Sequence, residues 1–256
     1  MESKFSIGSV LGDTFGTIGS NPLATLGVAF LIGVLPVEIL SYLLLGTTVV
    51  NRTQIFTTPN GIWLYFAFIL VSIFCSVLVQ ATLVRVTVAH AREERVSIGA
   101  SLAAALPKVL PLLGLTIIMA IGIGFGMLLL IVPGVILYLI WSVASPALVA
   151  EDIGVFEAFG RSSELTKGNR VKIFGMFFLL GALLIGVSMV LGFFLVATGT
   201  LQGLVTGSIP IAYTLINAIV STLTTAISGA LVATLYVQLR VAKEGPAVDA
   251  LADVFA

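Results

Sequence analysis

The sequence predicts an all-α integral membrane protein. The expected architecture is a six-span helical bundle built from three repeats, each an interfacial amphipathic helix followed by two transmembrane helices. Three observations carry this prediction. First, 59% of the 256 residues are apolar and only 9% are charged. Soluble domains run at about 45–50% apolar and about 25% charged, so a soluble fold of this composition could not cover its surface with polar groups. Second, the apolar residues gather in runs of about 20, the length that crosses about 30 Å of hydrocarbon. Third, the polar segments between those runs resemble one another.

The runs place spans near residues 22–46, 62–88, 112–132, 133–150, 173–197 and 211–239. The stretch 109–150 holds no charge and is too long for one crossing, and Val132-Pro133-Gly134 is the expected turn of a helical hairpin. The first span is longer than a signal h-region and follows about 20 polar-flanked residues, so it is expected to stay in the mature protein. Eleven of the twelve basic residues fall beside the even-numbered connections or the termini, and only Arg52 falls on the other side. The positive-inside rule then puts both termini in the cytoplasm and predicts an inner-membrane, multi-pass protein. The domain organisation follows: one polytopic membrane domain over 1–245 and a short cytoplasmic tail over 246–256. The sequon Asn51-Arg52-Thr53 would face outward.

The repeat units are expected near 5–90, 96–150 and 152–240. Phe5-Ser6-Ile7-Gly8 resembles Val96-Ser97-Ile98-Gly99. Ile7, Leu11, Phe15 and Ile18 make one apolar stripe at helical spacing, and Ile98, Leu102, Leu106 and Val109 repeat it. Such a helix beside a span tends to lie in the interface plane. Residues 7–35 align without gaps to 155–183 with seven identities in 29, among them Gly12 with Gly160 and Asn21 with Asn169. In this third copy Val155, Phe156 and Phe159 give the apolar side, which fades after Phe159. Acids open the segment and bases close it, Glu157 and Arg161 are spaced to pair, and Gly168 is placed as a terminator.

Candidate sites are few. Cys75 and His90 are the only cysteine and histidine, so an internal disulfide, a thiolate cluster and a His-rich metal site are excluded, and no catalytic residue, cofactor or metal is expected. Twelve basic residues balance twelve acidic ones, so no nucleic-acid partner is expected. Arg161, Lys167, Arg170 and Lys172 form a basic cluster suited to anionic lipid headgroups, and equally to fixing topology. Glu38 is the only acid inside a span, a candidate intramembrane polar site or a carboxylate near the outer interface beside Tyr42. Gln80, Asn217 and Gln202 are expected to pack between helices, Arg85 to snorkel to the headgroups, and His90 to be solvated. The glycines at 122 and 126 predict a close helix contact, within the chain or between copies.

The span-four proline, then Glu151, Ala158-Phe159, Arg161-Ser162 and Leu165-Thr166-Lys167-Gly168, resemble the signature of the glycerophosphoryl diester phosphodiesterase membrane-domain family. That group overlaps with uncharacterised bacterial inner-membrane families. Phe5-Ser6-Ile7-Gly8, Leu11, Asn21-Pro22 and Pro133-Gly134 fit it as well. The family often carries Trp after Arg-Ser and again after the Gly, where this chain has Ser163, Arg170 and Val171. No segment is long and polar enough for the soluble phosphodiesterase domain, so the resemblance implies a membrane module and no such activity. The expected function is a non-enzymatic membrane protein that organises lipids or partner proteins at the cytoplasmic face, with membrane lipids, a membrane-protein partner or a second copy as its partners. The alternative is a transporter or channel for small solutes or lipids, with Glu38 in its path.

Overall fold

A computed structural model describes residues 6–45, 57, 59–91, 98–197 and 211–245, and all regular structure among them is helical. Arg52, its sequon, Gln202, Lys4, Arg92, Arg95 and the tail lie outside the described residues. The helices are α1 (Ile7–Ser20), α2 (Leu35–Leu45), α3 (Gly61–Ala91), α4 (Ile98–Ala105), α5 (Val109–Leu129), α6 (Ile131–Trp141), α7 (Ala144–Glu151), α8 (Val155–Thr166), α9 (Arg170–Ala197) and α10 (Ile211–Glu244). Six segments are long and apolar enough to cross a membrane: Leu23–Leu43, Gly61–Ala91, Gly99–Leu129, Ile131–Glu151, Arg170–Ala197 and Tyr213–Glu244.

Every Lys and Arg among the described residues belongs to the same end of this bundle, the charged end. The packed core lies in that half too. One cluster joins Val10 of α1, Leu139 of α6, Leu165 of α8, Ile173 and Met176 of α9, and Leu235 and Tyr236 of α10. A second joins Ala81 and Val84 of α3, Leu112 of α5, Leu148 of α7, Ala158 of α8 and Ala233 of α10. The last helix belongs to both, so α10 is the central post. Towards the opposite end Leu128, Val190, Phe193 and Ile219 are exposed. Apolar faces in lipid need no burial, because the lipid tails are as apolar as the side chains.

The hairpin turn is earlier than the sequence predicts. Leu130 leaves the helix with φ −160° and ψ 143°, which separates α5 from α6. Pro133 then falls in the first turn of α6, where its missing N–H leaves no helical bond unmade. The turn is tight because two glycines face each other. A Cβ on Gly126 would sit 3.0 Å from the Gly134 Cα, and one on Gly134 would sit 2.7 Å from the Met127 backbone nitrogen. A Cβ on Gly122 would sit 2.6 Å from the Trp141 ring. The glycines at 122 and 126 therefore serve a contact within the chain.

The fourth span breaks at Ser142-Val143, between α6 and α7. Pro146 explains the break: it has no N–H for the Ser142 carbonyl, and its ring would crowd that oxygen. Ser162 of α8 repairs the gap. Its hydroxyl donates to the Ile140 carbonyl at 2.7 Å and accepts from the Val143 N–H at 3.3 Å. Irregular backbone at membrane depth persists where protein supplies such partners.

The short helices correct the predicted stripes. In α1 the buried positions are Val10, Thr14 and Thr17, packed on α10, while Phe15 of the predicted stripe is exposed. In α8 the buried positions are Ala158, Ser162, Leu165 and Thr166. The inward stripe thus continues past Phe159 to Leu165, with Ser162 and Thr166 as small polar members that hydropathy alone does not score as a core face. The α4 helix passes through one 3-10 turn, Leu106–Lys108, directly into α5. Gly168 has φ +89°, and the Asn169 N–H bonds the Thr166 carbonyl at 3.0 Å, so the terminator ends α8 as its position predicts.

Candidate functional site at the charged end

Arg161 sits on α8, one helix turn beyond its first acid, and points across to the ends of α7 and α10. Its Nε donates to both oxygens of Glu151 at 2.9 and 2.8 Å, and its Nη2 donates to Glu244. Glu164 lies 3.6 Å from Nη1. The Tyr236 hydroxyl donates to Glu151 at 2.8 Å, and Arg240 Nε donates to Glu244 at 3.0 Å. Burial works against the Arg161 charge. The hydrogen bonds to Glu244 and Glu151, with the charges of both, outweigh it and hold the guanidinium above the usual arginine range. The expected Glu157–Arg161 pair is not formed. Glu157 instead accepts from the Gly154 N–H at 3.1 Å and caps the start of α8. Arg161 is therefore a clamp between three helices, and its fork is filled by protein carboxylates.

The other three basic residues stand differently. Lys167 follows the last residue of α8, and Arg170 and Lys172 lie in the first turn of α9. Lys167 and Lys172 are exposed, and Arg170 is half-buried. Lys167 and Arg170 have no acidic partner among the described residues. Cations are favoured at helix C-termini and disfavoured at N-termini, so the dipole accounts for Lys167 but not for Arg170 or Lys172. Val171 and Phe178 beside them are exposed at 84% and 69%, so this positive root of α9 adjoins apolar surface. A second surface ion pair, Lys108 with Asp152, ties the start of α5 to the end of α7, where Asp152 takes a left-handed conformation with φ 55°.

Glu38 is half-buried towards the opposite end, and the Asn217 side-chain amide donates to its Oε1 at 2.9 Å. Two residues singled out separately in the sequence thus meet across α2 and α10. Gln80 is half-buried in α3. Arg85 encloses its Nε in protein without a partner. His90 is half-buried and held, contrary to the expectation of a solvated ring. The Asn21 amide nitrogen lies 3.3 Å from its Nδ1 and the Ser20 hydroxyl 3.4 Å from its Nε2.

Sequence reasoning missed a cavity of about 330 Å³ between α1, the end of α3 and the last third of α10. Asp13, Thr17, Thr87, His90, Thr234 and Gln238 line it. Its members lie far apart in the chain and share no motif. Among the described residues no three His, Cys, Asp or Glu side chains converge on a metal-sized site.

Six helices long and apolar enough to cross a membrane, with apolar side chains turned outward over much of their length, are the make-up of the class of helical, multi-pass membrane proteins. Comparison with family models, curated proteins and solved structures returns no match.

Proposed function

We propose that this chain is a non-catalytic module of the bacterial inner membrane that gathers anionic lipid at its cytoplasmic face. The charged end is taken as cytoplasmic on the positive-inside rule. The observation that carries the reading is the root of α9. Arg170 and Lys172 occupy a helix N-terminus, already the positive end of the dipole, next to Lys167. Backbone N–H groups and cations together favour a phosphate at that position. Each cation near an anionic surface is worth about 1 kcal/mol, so the three supply about 3 kcal/mol.

Arg161 leaves the lipid-contact set, because its guanidinium is clamped between Glu151 and Glu244. We read the chain as a threefold repeat of short helix, span and span, with α1 and α8 near the interface and α4 continuous with the third span. The resemblance to the glycerophosphoryl diester phosphodiesterase membrane domains implies a membrane module and leaves its role open. Melting of the purified protein in nanodiscs tests the reading. Phosphatidylglycerol should raise the melting temperature over phosphatidylcholine, and 0.5 M salt or the Lys167→Gln/Arg170→Gln/Lys172→Gln variant should abolish the gain. An equal gain in that variant would refute it.

A further inference from the structure

Every acid among the described residues already has a polar partner. None of those partners is Lys167 or Arg170, and Arg170 also encloses its Nε without an acceptor. A counter-charge for the root of α9 from within this chain must therefore come from outside the described residues. Residues 1–5 and 92–97 each balance their acids with bases, and residues 46–56 and 198–210 hold no acid. The tail, 246–256, is the exception: it carries Asp249 and Asp253 and no base.

The fold fixes where that tail begins. Gly245 takes the left-handed conformation, φ +82°, and its N–H bonds the Val241 carbonyl at 2.9 Å. Pro246 cannot extend the helix, so the chain leaves α10 directly after Glu244. Glu244 is the residue that receives Arg161 of α8. Lys167 lies six residues beyond Arg161, about 9 Å at helical rise. Asp249 lies four residues beyond Gly245, a reach of about 13–14 Å for extended chain. Leu239 of α10, Leu165 of α8 and Ile173 of α9 share one core cluster, so the end of α10 and the root of α9 are neighbours.

We propose that the tail docks on the root of α9 of the same chain, Asp249 and Asp253 against Lys167 and Arg170, and that anionic headgroups displace it. The displacement rests on the anionic-lipid reading above, and the contact does not. A link this short holds the acids at about millimolar effective concentration, while exposed ion pairs are individually weak. The tail thus occupies the root where anionic lipid is scarce and yields where it is concentrated, which gives the site a threshold.

The test is carbodiimide crosslinking of the whole chain, one copy per nanodisc, read by peptide mass spectrometry. The reagent joins a carboxylate to an amine in contact with it. In phosphatidylcholine, Asp249 or Asp253 should link to Lys167 or Lys172. Lys243, exposed and six residues before Asp249, is the internal control for reactivity of the tail. Phosphatidylglycerol should cut the root link severalfold and leave the Lys243 link unchanged. Asp249→Asn/Asp253→Asn should reach half of its phosphatidylglycerol melting gain at about two- to thirtyfold less of that lipid than the wild type, the range of two exposed ion pairs. A Lys243 link without a root link in phosphatidylcholine overturns the proposal. So does a root link that phosphatidylglycerol leaves intact in a protein it stabilises. A root link with no phosphatidylglycerol melting gain in either protein supports the contact and overturns the anionic-lipid reading instead.

Discussion

Replacing Arg161 by Met should destabilise the protein by about 2–4 kcal/mol. The figure follows from what the change leaves behind. Glu151 keeps only the Tyr236 hydroxyl and Glu244 only Arg240, and the two side chains are 17% and 25% exposed. Removing one partner of a fully buried ion pair costs about 3–5 kcal/mol, and partial access of water reduces that here. In a chain of this length the loss corresponds to a fall of about 4–16 °C in Tm. The assay is thermal unfolding in nanodiscs of Arg161→Met, Glu151→Gln and the double variant. The neutral Gln relieves the stranded charge, so the double variant should be about 1–2 kcal/mol more stable than the sum of the singles predicts. Arg161→Lys should recover only part of the loss, because Arg161 meets Glu151 and Glu244 with two separate nitrogens and an ammonium has one. Strict additivity, or a Tm fall under about 2 °C for Arg161→Met, would refute the three-helix clamp.

Three further outcomes follow from the same packing. Gly134→Ala should cost about 1–3 kcal/mol in thermal unfolding, because its Cβ meets Met127 backbone that cannot rotate away, whereas Gly124→Ala, with nothing within 4 Å, should be near neutral. Ser162→Ala should cost about 1–3 kcal/mol by orphaning the Val143 N–H and leaving the Ile140 carbonyl only the Thr166 hydroxyl at 3.5 Å, with faster hydrogen exchange at Val143 as the local readout. Asn217→Leu should destabilise by about 0.6–2 kcal/mol, and Glu38→Gln should suppress most of that effect, measured as a double-variant cycle by thermal unfolding.

The spans were legible because membrane-crossing helices announce themselves by length and apolarity. The hairpin and the terminator at Gly168 were legible for a related reason, since proline and glycine act locally. What escaped depends on contacts across the chain. The break at Ser142-Val143 had a local signal in Pro146, but its repair by Ser162 did not. Arg161 and Glu244 are far apart in sequence, and no periodicity ties them, so the nearer Glu157 looked like the natural partner. The inward faces of α1 and α8 add threonine, serine and alanine to Val10 and Leu165, and a hydropathy stripe passes over the small polar ones. The cavity escaped because its lining, Asp13, Thr87 and Gln238 among it, comes from three helices far apart in the chain.

Lipid composition around the protein tests the central claim most directly. Native discs are cut from the membrane with a copolymer, and their lipids are quantified for the wild type and for Lys167→Gln/Arg170→Gln/Lys172→Gln. Wild-type discs should be enriched in anionic lipid over the bulk membrane, and the variant's discs should match the bulk. Bulk composition around the wild type, or the same enrichment around the variant, would contradict a lipid-gathering face at the root of α9.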